Sequence, residues 1–155
     1  MSEPRIDASS VAPLEAYKFV FKVVTRQSDS WGEAGHIDNA ALSSLFNDAR
    51  AVFFVSVLGE SFFANTEARS LLLKRITTDF FGEARYPGDL DIGAAVDHVG
   101  RSSLNMRLAT FRDGECLNLC RMVMVNTEHR RPAPFTDEER ALFMAHSLPG
   151  VQAGA

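Results

Sequence analysis

Cysteine is scarce in this chain: two residues, Cys116 and Cys120, among 155. A disulfide framework is therefore excluded as the source of stability. The two stand four apart in a stretch that reads as strand, so even spacing predicts that both share one face. That separation is too long for them to bond to each other. No zinc-type Cys/His cluster surrounds them, and they read as small buried hydrophobes. Positive charge is also in deficit, with 16 Lys+Arg against 20 Asp+Glu and a formal net charge of −4. A nucleic-acid binder would show a basic stripe. A protein of anionic membrane surfaces would carry a dense Lys/Arg run. The sole adjacent Arg pair is Arg130-Arg131, so neither nucleic acid nor membrane is expected as a partner. No run of 18 apolar residues suits a membrane span. The opening MSEPRIDASSVAP lacks the apolar stretch of a secretory signal. The cytoplasm is the expected location. There is no Gly-rich phosphate loop, no metal-ligand cluster and no internal repeat.

What is abundant is core material. Hydrophobic residues make up 46% of the chain and there are 12 Phe, enough for one core at a length that favours one domain. Residues 1–14, rich in Ser, Pro and Ala, read as a disordered arm, 15–148 as the domain and 149–155 as a flexible tail. The β-forming stretch 17–24 predicts a strand, and the polar stretch 28–38 a long loop. Residues 39–58 contain no Gly or Pro and repeat apolar residues near helical spacing at Leu42, Leu45, Phe46, Ala49, Val52, Phe53 and Val57. A helix of about five turns follows, capped by Asp38 or Asn39 and stopped by Gly59. Phe54 and Val55 add apolar bulk on its far side, so the helix is expected to be wrapped on most sides. Four strands are predicted next, over 71–81, 89–99, 104–112 and 115–126, the last two joined at Asp113-Gly114. Thr136 and Glu139 form a capping box for a short final helix. Consecutive strands on tight turns imply an α+β fold, a long central helix wrapped by a mostly antiparallel sheet of five or six strands.

With these elements in place, the chain resembles the 4-hydroxybenzoyl-CoA thioesterase-like branch of the hotdog-fold acyl-CoA thioesterases. The resemblance is carried by Arg26-Gln27-Ser28-Asp29 followed by Gly35-His36-Ile37-Asp38-Asn39-Ala40, by Asp48-Ala49-Arg50, by the segment from Phe80 to Asp89, and by Val99-Gly100-Arg101-Ser102-Ser103-Leu104. The exit segment Arg130-Arg131-Pro132-Ala133-Pro134 is also similar to the family's. The family places its acid three residues before the Gly that precedes the His. Here that position is Gly32; Asp29 stands three before Gly32 if 33–35 is an insertion.

The resemblance implies hydrolysis of a coenzyme A thioester, with no metal and no cofactor beyond coenzyme A as part of the substrate. It also implies a homodimer or a dimer of dimers with its site between subunits. Thioester hydrolysis needs a carboxylate, or water activated by one, and donors for the developing oxyanion. A helix N-terminus supplies such donors. The catalytic candidates are Asp29 or Glu33 as the acid, His36 as its partner and the backbone N–H of Asn39 as oxyanion donor. Trp31 and Phe53 are candidates for substrate contact, with Phe54, Phe62 and Phe63 as further wall of an acyl pocket. Arg101, Ser102 and Ser103 are candidates for the nucleotide, with Arg130 and Arg131 in reserve. Asp38 reads as a cap, and Asp48 as a structural residue. The competing reading is a non-catalytic binder of an acyl thioester or small ligand; no dehydratase pattern is present.

Overall fold

The computed structural model describes residues 6–33, 35–63 and 68–149, the side chains of Phe62 and Phe63 excepted. Strand β1 (Phe19–Val24) leads through a short 3-10 turn, Gln27–Asp29, to two brief strands, β2 (Ser30–Trp31) and β3 (His36–Ile37), that pair with each other. The loop expected over 28–38 thus contains its own small ladder. Helix α1 (Asn39–Leu58) follows, then β4 (Arg69–Phe80), β5 (Asp89–Val99), β6 (Ser103–Arg112), β7 (Glu115–Glu128), β8 (Arg131–Pro132) and α2 (Asp137–Met144). The main sheet runs β1-β5-β6-β7-β4, every pair antiparallel, with β8 added at the end of β7. This is the hotdog plan: one long helix held in the curl of a six-stranded antiparallel sheet.

Leu42, Leu45, Phe46, Ala49, Phe53, Phe54 and Val57 form the buried stripe of α1. They meet Ile92, Val96, Leu104, Met106, Leu108, Met122 and Met124 from the sheet. Truncating a fully buried ring such as Phe46 to Ala would cost about 3–5 kcal/mol. By length and composition α1 is apolar enough to cross a membrane; in this fold it is the core helix. Its opposite face, with Asn47, Asp48, Ala51, Val52 and Val55, is exposed in the protomer, so the expected wrapping covers one side only.

The outer face of the sheet has its own cluster, in which Tyr17, Ala95, Ala109, Phe111, Cys116, Leu119 and Leu148 are buried. Ile6, Val11, Ala12, Leu14 and Ala16 pack on it. The expected disordered arm therefore has a defined course from Ile6 onward, through two 3-10 turns, Ala8–Ser10 and Leu14–Ala16. The reason is composition: its scattered apolar residues find a ready apolar face. Gly93 admits the ring of Tyr17, since a Cβ there would lie 2.6 Å from it. Residues 1–5 and 150–155, the rest of the expected arm and tail, lie outside the described residues.

One correction concerns the cysteines. Cys120 faces the helix, whereas Cys116 lies in the outer cluster. The β6–β7 register jumps between Thr110↔Asn118 and Phe111↔Cys116, a β-bulge with one extra residue on β7. That residue inverts the alternation beyond it, so even spacing does not place both thiols on one face.

Candidate active site

The local structure before α1 is set by Gly35. Its φ is +66°, and a Cβ there would stand 2.4 Å from the carbonyl oxygen of Tyr86. Only glycine fits both demands. The close approach lets Tyr86 N–H donate to Gly35 O at 2.7 Å and Ile37 N–H donate to Ala84 O at 3.0 Å. His36 and Arg85 then stand opposite each other as an antiparallel bridge. As a result His36 Nδ1 lies 3.3 Å from Glu83 Oε2, and Arg85 Nη2 lies 2.7 Å from that same oxygen.

His36 and Glu83 face a cavity of about 390 Å³ at the head of α1. Trp31, Ile37, Leu42, Phe80 and Ala84 give it apolar wall, while His36, Asp38, Asn39, Glu83 and Asn118 supply polar groups. Asp38 is the helix cap: its Oδ1 accepts from Ala40 N–H at 3.3 Å, and its carbonyl from Leu42 N–H at 2.8 Å. Asp38 N–H donates to Asp29 O at 2.9 Å. Among the described residues the N–H of Asn39 meets no acceptor, as geometry dictates for the first residue of a helix. Asn118 is 1% exposed, and its Oδ1 has no partner among the described residues. A buried polar atom left in this state is costly, and this one lies on the cavity wall.

Of the sequence candidates, Trp31, His36 and Asn39 come together on this cavity. Asp29 and Glu33 are not among its lining residues. Asp29 is buried, and its Oδ2 accepts from Arg26 N–H at 2.8 Å, with Arg26 Nε at 3.5 Å. The carboxylate closes the 3-10 turn, reciprocating with its cap residue. Glu33 is exposed in the turn between β2 and β3.

Phe53 is a correction. It is fully buried in an edge-to-face cluster with Phe19, Phe54 and His146, inside the core and off the cavity. Its place on the sheet-facing stripe of α1, about four turns beyond the helix start, explains this. Arg101, Ser102 and Ser103 are also not brought to the cavity within the protomer. Ser103 pairs with Val125, and Asn118 pairs with Thr110. The separation along extended β7 is about 23 Å. Asp48, Arg130 and Arg131 are exposed, and the side chains of Phe62 and Phe63 lie outside the described residues.

Two groups were missed. Glu83 sits inside the Phe80–Asp89 resemblance, but nothing in one sequence shows that the chain returns there to meet His36. Asn118 carried a usable signal: it is a lone amide on an otherwise apolar strand segment. The cysteines are not nucleophile candidates. Burial pushes the Cys120 thiol up to about 11 and also raises Cys116, so neither is a thiolate at neutral pH. Among the described residues no group of three or more His, Cys, Asp or Glu could hold a metal ion.

A family model described as the thioesterase-like superfamily matches residues 23–143. The chain belongs to this superfamily. Solved structures share the fold. A Pseudomonas aeruginosa protein is 24% identical with a TM-score of 0.77, covering 88% of this chain and 96% of its own. A predicted thioesterase from Bacillus stearothermophilus is 24% identical at 0.74, covering 85% and 98%. A Thermus thermophilus thioesterase, complexed with coenzyme A and zinc, is 24% identical at 0.73, covering 84% and 95%. No curated protein matches the chain.

Proposed function

We propose that this chain is an acyl-CoA thioesterase of the 4-hydroxybenzoyl-CoA thioesterase-like branch, and that it works in the cavity at the head of α1. The observation that carries the reading is that Asn39, whose N–H meets no acceptor among the described residues, lines the same cavity as His36. A thioester carbonyl laid against that N–H gains a donor and the positive end of the helix dipole as its oxygen becomes charged. His36, which lines the same cavity, is the group this reading assigns to the attacking water. The apolar wall of Leu42, Phe80 and Ala84 suits an acyl group. Superfamily membership supports the reaction class, and the coenzyme A held by the Thermus thermophilus thioesterase supports the carrier.

A second copy of the chain completes the assembly in this proposal. Strand β4 is one edge of the sheet and β1 the other, and six consecutive residues of β4, 72–77, are exposed. Leu72, Leu73 and Ile76 are among them, with Phe80 farther along. Lys74 and Arg75 stand among them at a bulge, so it is the exposed apolar side chains, rather than a clean backbone edge, that a second copy would cover about a two-fold axis. Phe80 belongs both to that edge and to the cavity, so the partner would stand at the rim of the site.

The placement of Asp29 on Arg26, away from the cavity, favours a second reading, a non-catalytic binder of an acyl thioester. Thiol release from short, long and aromatic acyl-CoAs separates the two. Saturable release from at least one of them is expected; a bound acyl-CoA that is never cleaved would identify the binder.

A further inference from the structure

Glu83 and Arg85 have no role in the family pattern quoted from the sequence, yet Glu83 lines the cavity beside His36 and Arg85, itself not a lining residue, pairs with Glu83. Resting on the thioesterase reading, we infer that Arg85, Glu83 and His36 form an orienting relay in which His36 is the base that activates water, in place of a loop carboxylate.

One oxygen of Glu83, Oε2, faces both Arg85 Nη2 at 2.7 Å and His36 Nδ1 at 3.3 Å. A carboxylate held by a guanidinium is a fixed acceptor for an imidazole N–H. In this relay the proton sits on Nδ1, the ring nitrogen within reach of Glu83, and the lone pair of Nε2 is the one left to work, since the bond made by one ring nitrogen sets the state of the other. Backbone geometry favours the same assignment. Gly35 pins His36 against Arg85 through the β-bridge, so the ring is positioned by main chain as well as by its partner. The charged groups around the ring are Glu83 and Arg85 from the segment after β4 and Asp38 from the helix start. Asp38 is occupied as the cap of α1, and the loop acids are not cavity residues. That leaves Glu83 as the carboxylate in contact with His36.

The step balances within these groups. His36 Nε2 takes a proton from water as its oxygen bonds to the thioester carbon, and the carbonyl oxygen becomes an oxyanion at Asn39 N–H. Collapse of this intermediate breaks the C–S bond with the electron pair on sulfur. The imidazolium returns its proton to that sulfur, leaving the acid and the free thiol. His36 is a catalytic residue in this scheme, and Glu83 and Arg85 are positioning residues.

The test pairs nuclear magnetic resonance with kinetics on the full chain. Long-range nitrogen–proton spectra of the neutral His36 ring report which nitrogen carries the proton. The wild type is expected to show the Nδ1–H form, and Glu83→Leu to lose it. Glu83 is exposed enough for the variant to fold. On an accepted acyl-CoA, Glu83→Leu should lower kcat about 100-fold, in the range of lost general-base function, with KM within about three-fold. Glu83→Asp should recover part of the rate. Turnover by a wild type whose His36 carries its proton on Nε2 overturns the relay alone, as does a Glu83→Leu variant with unchanged kcat. Absence of turnover on every thioester overturns the thioesterase reading and the relay's catalytic role with it.

Discussion

Asp29 shows how one residue can be legible in type and illegible in task. Its spacing from Gly32 resembles a catalytic motif, and its burial is real, at 7% exposed. Its carboxylate nonetheless accepts from Arg26 N–H and ties off a 3-10 turn, a bond made over three residues that spacing alone cannot distinguish from a catalytic pose. Removing an acceptor of this kind costs about 1 kcal/mol. Asp29→Ala, which leaves Arg26 N–H without its side-chain acceptor, is expected to lower stability by about that amount in urea titration. A variant of full stability but about 100-fold lower kcat would instead put Asp29 in the chemistry. The position of His36 and Asn39 at the head of α1 was legible because helix starts have strong local signals. Glu83 was not, because its meeting with His36 depends on the chain returning after a 12-residue strand.

At the scale of elements, periodicity and caps carried most of the fold. The span of α1, the bounds of β5 and the Thr136/Glu139 capping box all stand where local patterns place them. Bulges escaped, because an extra residue changes facing without changing composition; the split of Cys116 from Cys120 follows from that. Also invisible was the second use of Glu139. Besides capping α2 it accepts from Arg69 Nη2 at 2.8 Å, and Arg69 Nε donates to Asn126 Oδ1 at 3.0 Å. Arg69 is the main cause that holds the Glu139 carboxyl below its ordinary 4.5. A depressed acid stabilises the fold above its unfolded value and loses that contribution as pH falls through its folded value. The Tm gap between wild type and Glu139→Gln is thus expected to be full above about pH 5 and to shrink below about pH 4. A gap that stays constant from about pH 7 to about pH 3 would mean that the ion pair adds nothing.

For the whole molecule, one face of the sheet is closed by the helix and the other partly by the arm, while β4 remains open. The arm's docking on Tyr17, Phe111 and Leu119 was hidden by its Ser- and Pro-rich composition. The open edge is the feature that a single chain cannot satisfy internally. Light scattering at micromolar concentration is expected to show a dimer or a dimer of dimers. Ile76→Asp places a charge on an exposed edge position and is expected to give folded protomers. A stable wild-type monomer would contradict the proposed assembly.

The central claim is that the first N–H of α1 receives the thioester oxygen, and one substitution isolates that single group. Proline is well suited to the first helical position and removes only the N–H. Asp38, with φ −65° and ψ 143°, already has the extended backbone required before a proline. Asn39→Ala keeps the N–H and serves as the reference for the lost side chain. Measured by thiol release on one accepted acyl-CoA, kcat of Asn39→Pro is predicted to fall at least about 100-fold below that of Asn39→Ala, the usual loss for one oxyanion donor, at similar Tm. Equal kcat for the two variants would contradict the account.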